Sequence, residues 1–428
     1  MAADALQGVD LRWLAERIGT PFYVYDAEIV QAKINAIVAL TAAPGLQARY
    51  AMKACSAAPV LARMRAQQIW IDAVSGNEVL RARAAGYHLG ATVPEVMLTT
   101  DVFRDNALDV VRDYGVLPNI GSPHMIQQLA AAGYRGPLGM RINPGFGHGH
   151  VQSCDTGGPS SKHGIWFDDV LTAAHVAIRH GMSVTLLHAH IGSGPEVAEF
   201  ITNMQHLVSF FAECLEAYPQ VQAVNLGGGI PHPYRPGAPT VDLQAFGQLL
   251  REAQERFSQQ TGRPIRVEIE PGRYFVAPAA YVVTRVTDVK HTQANAKGPG
   301  QTFVMVDAGF CDLIRPAMYG SFHQMSVWNA PGDAPLTPTV IAGPLCESGD
   351  VFTRDEAELL QPRLLPTAQI GDLVLLHDAG AYGYTMSSNY NSLGRAPQLW
   401  LENGTPYLIS RRETFEDIVR TECFTSLS

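Results

Sequence analysis

"ARYAMKACSAAPVLARMRAQQIWIDAVSG", residues 48–76, contains in miniature the unit from which the fold is built. "ARYAMKA" (48–54) is a short apolar run of the kind that forms a buried strand. "APVLARMRAQQ" (58–68) follows, with Val60, Leu61 and Met64 on one helical face. "IWIDAVS" (69–75) is a second apolar run. Strand, helix and strand in that order predict parallel neighbours joined by a crossover helix. Working outward, the same rhythm continues through "VMLTT" (96–100), "VLPNIGS" (116–122), "LGMRINP" (138–144), "VTLLHAHIGSG" (184–194), "VQAVNLGGG" (221–229) and "IRVEIEPG" (265–272). Helical segments such as "GNEVLRARAAG" and "NMQHLVSFFAECLEAY" lie between them. Eight such runs predict an α/β fold closed as a (β/α)8 barrel of the TIM type.

After residue 275 the texture changes to strands divided by Gly, Pro, Asn and Asp turns, among them "QTFVMVDAG", "DLVLLHDAGAYGYTM" and "PQLWLENGTPYLISRR". The expected organisation is therefore an N-terminal segment (1–25) associated with the β-domain, a barrel (26–275), and a C-terminal antiparallel β-barrel or sandwich (276–428). "GFGHGHVQSCDTGGPSSKHGIW" (145–166) is the longest insertion between barrel strands, and its Gly and Ser content suits a lid or substrate loop.

Composition narrows the function. The chain has 428 residues, 46% hydrophobic and 17% charged, with a formal net charge of −9. That balance is globular, and its mild acidity gives no support to nucleic-acid binding. The six cysteines are scattered with no CxxC, which argues against a zinc site or a disulfide framework, so no metal is expected. The sequence shows no basic-then-apolar leader and no apolar run near the ~18 residues of a membrane span. A cytoplasmic protein without nucleic-acid or membrane partners is expected.

In a barrel, chemistry gathers at the C-terminal strand ends. Read in order, those ends supply Lys53, Asp72, His190 and Ser193, then Gly227, Gly228 and Gly229, and finally Glu270, Gly272 and Arg273. A lysine at the end of an apolar strand is costly to bury without a partner. Glycines after a strand allow backbone N–H groups to approach a phosphate, with Ser193 and Gly272 adding donors. A lysine facing a phosphate cofactor suggests an imine to its aldehyde. A carboxylate such as Glu270 can keep a pyridine nitrogen protonated, and His190 can stack on the ring. Together these describe pyridoxal phosphate. Each element also has an ordinary reading: a tight turn, a snorkelling lysine, a core histidine, a local ion pair. The conjunction at successive strand ends favours the cofactor. The β-region adds Arg315 and Tyr319 in "DLIRPAMYGS", Cys346 and Glu347 in "GPLCESGDVF", and Tyr382 in "DAGAYGYTMSSNYN". A forked guanidinium suits a carboxylate ligand. A dimer that offers one subunit's loop to the other's barrel would bring these groups to the barrel mouth.

From "GTPFYVYD" (19–26) to "LISRRETFEDI" (408–418) the chain resembles the fold-type III pyridoxal-phosphate-dependent decarboxylases. The resemblance is carried by "YAMKAC", "RINPGFGHGH", "TGGPSSKHGIW", "HIGSG", "EIEPGR", "VDAGFCDLIRPAMYGS", "GPLCESGDVF" and "GAYGYTMSSNYNS". It implies that Lys53 carries the cofactor, His190 stacks on it and Glu270 pairs with its ring nitrogen. It implies phosphate binding by Ser193, Gly229, Gly272 and Tyr382. Arg273, Arg315 and Tyr319 would bind the carboxylate that stays on the substrate, with Glu347 on a distal amine and Cys346 as proton donor. It further implies a homodimer with shared active sites, in which Cys346, Glu347 and Tyr382 come from the other subunit. "CESGD" with Arg315 favours an amino-acid substrate bearing a distal amine and carboxylate. Another basic or D-amino acid (ornithine, lysine, arginine) or a natural-product intermediate are alternatives, as is a non-catalytic cofactor-binding regulatory barrel. The chain departs from the family's usual pattern at Asn77, at residues 231–234, at Cys311, at Tyr384 where a small residue is usual, and in "NSLGRAP", which moves an arginine to Arg395.

Overall fold

The computed structural model describes residues 6–90, 94–147, 156–192, 197–296, 298–328 and 330–426. They form two compact units: residues 31–233 with 239–275, and residues 1–30 with 234–238 and 276–428.

The first unit is the barrel. Its eight strands are Leu46–Ala51, Trp70–Ala73, Val96–Thr100, Leu117–Ile120, Pro137–Asn143, Ser183–His188, Ala223–Asn225 and Arg266–Ile269. Every neighbouring pair is parallel, and the eighth strand returns to the first through Val267 opposite Leu46 and Ile269 opposite Ala48. A two-residue strand, Ile165–Trp166, adds to the fifth. Inside, Met97, Leu117, Leu186 and Ala223 pack together. At the seam a fully buried ion pair joins the first and eighth strands, Arg49 Nε to Glu268 Oε2 at 2.6 Å. Arg49 also lies over the Trp70 ring and donates to the Ile71 carbonyl, so the charge is fully engaged rather than stranded.

The second unit is a sheet in which Phe22–Asp26 lies between Ala280–His291 and Gln398–Glu402. The expectation of an antiparallel sheet needs correction: six of its eight strand pairings among the described residues are antiparallel, and two are parallel. The parallel ones join Phe22–Asp26 to Gln398–Glu402 and Thr302–Val306 to Leu336–Ala342. Parallel neighbours need long connections, and both pairs have them. Leu11 and Leu14 of the N-terminal helix, Leu11–Ile18, pack with Phe22, Val283, Leu375 and Leu399 in this unit's core.

Candidate active site

The lysine turn differs from its sequence reading. The first strand ends at Ala51, and Lys53 lies in a 3-10 turn, Met52–Ala54. Its side chain is exposed rather than buried, so the burial cost does not arise. Gly272 abuts this turn: a Cβ there would stand 2.9 Å from the Ala51 carbonyl oxygen and 3.3 Å from the Ala54 Cβ. Ala51 N–H donates to the Pro271 carbonyl, tying the end of the eighth strand to the lysine turn.

Across the barrel runs a buried chain of polar side chains. Thr99, Asn119 and His188 stand on the third, fourth and sixth strands, Asn225 ends the seventh, and Glu270 follows the eighth. The Asn119 amide donates to Thr99 Oγ1 at 3.1 Å and lies 2.8 Å from His188 Nδ1. With that nitrogen accepting, His188 Nε2–H faces Glu270 Oε1 at 3.0 Å. Asn225 Nδ2 donates to Glu270 Oε2 at 3.1 Å, while Asn225 Oδ1 accepts from Gly227 N–H at 2.8 Å. Both carboxylate oxygens of Glu270 are therefore held, and one of their holders also fixes the glycine loop.

Two carboxyls in this layer are driven apart. Burial alone would raise Glu270, but its interactions with His188, then His190 and Lys53, outweigh burial and bring it down to about 2. Burial raises Asp72 well above the usual carboxyl range, and the Glu270 charge raises it further. Glu270 is the anion and Asp72 the neutral acid of the pair. Asp72 Oδ1 is buried with no partner. His190 is pushed well below the ordinary imidazole value, first by burial, and its Nδ1 accepts from Gly228 N–H at 3.3 Å. That leaves a neutral ring.

The glycines are required by space. A Cβ on Gly227 would stand 2.7 Å from the Ala189 carbonyl oxygen, on Gly228 2.5 Å from that of Glu270, and on Gly229 2.5 Å from that of Gly192. Gly227 and Gly229 also have φ of 75° and 98°. The result is a bare backbone cradle beside an ionised carboxylate, a neutral imidazole and a lysine turn. The unpartnered Asp72 oxygen and this cradle fit a phosphate-bearing pyridine cofactor. Arg273 opens the short helix Arg273–Val276 and is buried. Ser193 lies outside the described residues, as do residues 148–155 of the inserted loop. Around them the loop is fastened: Asn143 exchanges two hydrogen bonds with Gly158, Thr156 Oγ1 donates to the His190 carbonyl, and Lys162 and His163 both reach Asp101.

In the second unit Arg315 is buried at the start of the helix Arg315–Tyr319 and donates to Ser321 Oγ. Its guanidinium carbon lies 5.6, 5.9 and 6.0 Å from the ring centroids of Tyr234, Tyr319 and Tyr382. Tyr382 has a left-handed φ of 57°. Cys346 and Glu347 are exposed on a loop that Asp350 shapes from within. The Asp350 carboxylate accepts from Phe310 N–H at 2.7 Å and Leu345 N–H at 2.8 Å. Cys346 N–H donates to Asn391 Oδ1. Two of the unusual positions answer each other: Arg395 stacks on the Tyr384 ring at 4.2 Å and donates to the Tyr384 carbonyl. Tyr384 also meets the Tyr23 ring edge-on, so its bulk is taken up by packing within its own unit.

Thr99, Asn119, His188 and Asn225 are not among the site residues read from sequence, and Tyr234 is marked there only as part of the unusual 231–234 stretch. The signal for His188 was available in "HAH", since residues two apart on a strand share a face.

Residues 28–277 match the family described as "Pyridoxal-dependent decarboxylase, pyridoxal binding domain". The chain is 40% identical over 421 residues to the diaminopimelate decarboxylase of Escherichia coli K12, covering 97% of each chain. Its fold is similar to a crystal structure of diaminopimelate decarboxylase, with a TM-score of 0.89, 39% identity, and coverage of 98% of this chain and 97% of that one. It is also similar to diaminopimelate decarboxylase from Helicobacter pylori complexed with L-lysine, with a TM-score of 0.84, 25% identity, and coverage of 96% and 98%.

Proposed function

The chain belongs to the pyridoxal-dependent decarboxylases, within the diaminopimelate decarboxylase family, and from that membership we propose how its residues divide the work of converting meso-2,6-diaminopimelate to L-lysine and CO2. The enzyme is a carboxy-lyase that uses pyridoxal 5'-phosphate. Bound there, the cofactor supplies an electron sink for the pair left behind when CO2 departs. The observation that carries the assignment of roles is Glu270, a buried carboxylate held ionised by His188 and Asn225 beside the glycine cradle.

Lys53 offers the amine that anchors the cofactor aldehyde. Glu270 holds a proton on the pyridine nitrogen, which is what makes the ring accept electrons. Asp72, neutral, contributes a buried acid beside it without adding a second negative charge. His190, neutral, presents a flat face. The amides of Gly227, Gly228, Gly229 and Gly272, with Ser193 and Tyr382, bind the phosphate, and Arg273 borders it. Arg273, Arg315, Tyr319 and Tyr382 hold the carboxylate that is retained, while Glu347 binds the distal ammonium. Cys346 delivers a proton to the α-carbon from which CO2 has left. We read the assembly as a homodimer in which Cys346 and Glu347 of the partner subunit serve each barrel, and we place the enzyme in the cytoplasm, within lysine biosynthesis. Among the described residues no helix is long and apolar enough to cross a membrane.

The test is CO2 release from a panel of meso-diaminopimelate, L- and D-lysine, L- and D-ornithine, and L-arginine. Turnover concentrated on meso-diaminopimelate is expected. Turnover confined to another amine would overturn the substrate while leaving the cofactor site in place, and no turnover on any of them would favour a regulatory barrel.

A further inference from the structure

The second unit contains a cavity of about 460 Å³ that none of the roles above uses. Arg235, Arg354 and Arg363 line it, with Phe322, Gly320 and Asp355. The guanidinium carbons of Arg235 and Arg363 lie 4.2 and 3.8 Å from the centroid of the same Phe322 ring. Neither arginine has a carboxylate ion pair among the described residues. Arg354 donates to the Gly349 and Glu358 carbonyls, and its ion pair is with the exposed Glu358 carboxylate at 3.4 Å. Asp355 lines it as an anion: Ala357 N–H, Leu359 N–H and Gln361 Nε2 donate to its carboxylate and hold it ionised, so it offsets part of the positive charge. Three guanidiniums and one carboxylate thus line one cavity, an excess of positive charge in a chain of net charge −9. Burial first, and then the charge of Arg235, pull Arg363 down to about 10, consistent with two guanidiniums crowded on one ring.

We propose that this cavity binds a small doubly charged oxyanion, a phosphate or a dicarboxylate, and that the anion adjusts how the enzyme binds its substrate. Forked, permanently charged arginines suit such oxyanions. The link to substrate runs through the cavity wall. Gly320, left-handed at φ 59°, ends the helix that carries Arg315 and Tyr319. A Cβ on it would stand 2.4 Å from Glu356 N, so that helix end rests directly on the Asp355–Glu356 turn. Arg354 in turn holds Gly349, two residues beyond Glu347. An anion drawing Arg354 and Arg363 inward therefore loads both segments. This coupling rests on the roles proposed for Arg315, Tyr319 and Glu347; the binding does not.

The test is isothermal titration of the cofactor-loaded enzyme with inorganic phosphate and, separately, with succinate, against potassium chloride at matched ionic strength. One saturable site per chain is expected for at least one of the two, and the tighter probe identifies the source of the anion. Affinity should fall about tenfold or more in Arg235→Gln/Arg363→Gln and in Arg354→Gln, with cofactor absorbance retained as proof of folding. No saturable binding by either probe, or unchanged affinity in these variants, would overturn the site. So would a change of oligomeric state in the double variant by sedimentation, which would mean that the arginines face a second copy of the chain. Kinetics supply a separate arm: KM for meso-diaminopimelate should shift with the bound anion in the wild type and not in the double variant. A constant KM alongside intact binding would overturn the coupling alone.

Discussion

Glu270 and Asp72 share one buried layer, yet one is ionised and the other neutral, and the difference lies in their partners. Glu270 has a histidine and an amide; Asp72 has an oxygen with nothing to bind. Replacing His188 with Leu should remove the fixed donor to Glu270 and leave the Asn119 amide with Thr99 as its remaining acceptor. The expected cost is about 1–3 kcal/mol of cofactor binding, read as a rise in the pyridoxal phosphate dissociation constant by absorbance titration. An unchanged constant would show that Asn225 alone positions the carboxylate. Lys53→Ala should abolish the visible absorbance of the lysine-bound cofactor and nearly all turnover, and a band persisting in that variant would refute its role. Asp312 gives a pH prediction. Burial raises it to about 6, although Gly309 N–H donates to it. A carboxyl raised in the folded state stabilises the protein when protonated. Stability from this group is therefore full below about pH 4, declines between about 4 and 6, and is flat above, a change of about 3 kcal/mol. Asp312→Asn should remove that slope, seen as the difference between wild-type and variant melting temperatures from pH 4.5 to 7.5.

At the scale of elements, the seventh strand and its glycines set the cradle. Gly228→Ala would press a methyl group onto the Glu270 carbonyl, and the eighth strand's end would have to move. Cofactor affinity should drop by an order of magnitude or more while the melting temperature of the apoenzyme changes little; equal affinity would show that the loop yields. All eight barrel strands were legible as apolar runs, because parallel strands are covered on both faces. Their ends were less so. "VTLLHAHIGSG" leaves the ladder at His188 and "VQAVNLGGG" at Asn225, in the second case just before Gly227 and Gly229 take up positive φ angles that strands do not use. Lys53, His190 and Glu270 could be found because they stand at or just beyond strand ends, where polarity is conspicuous. Thr99 and Asn119 could not, since a single polar side chain within an apolar strand gives no local sign of what it meets across the barrel. The mixed pairing of the second sheet was equally hidden: no local pattern in "FYVYD" names a partner some 370 residues away.

For the whole molecule, the shared-site dimer makes a quantitative claim. Lys53→Ala and Cys346→Ala should each be nearly inactive as pure proteins. If each site draws Lys53 from one subunit and Cys346 from the other, subunit exchange gives hybrids with one intact site. An equal mixture should then recover roughly a quarter of wild-type activity. A mixture no more active than its components would show that both groups act within a single chain.

Phe22–Asp26 lies between two strands of very different age on the ribosome. One neighbour, Ala280–His291, is translated well after it, and the other, Gln398–Glu402, later still. The barrel strands of residues 46–269 are all made in the interval. Phe22–Asp26, whose five residues are all buried in the finished sheet, thus remains unpaired while a complete barrel can form downstream of it. Nascent chains stalled before residue 280 hold neither neighbour of this segment, and those stalled before residue 398 only one, so slow or interrupted translation should expose it to chaperones and to other chains.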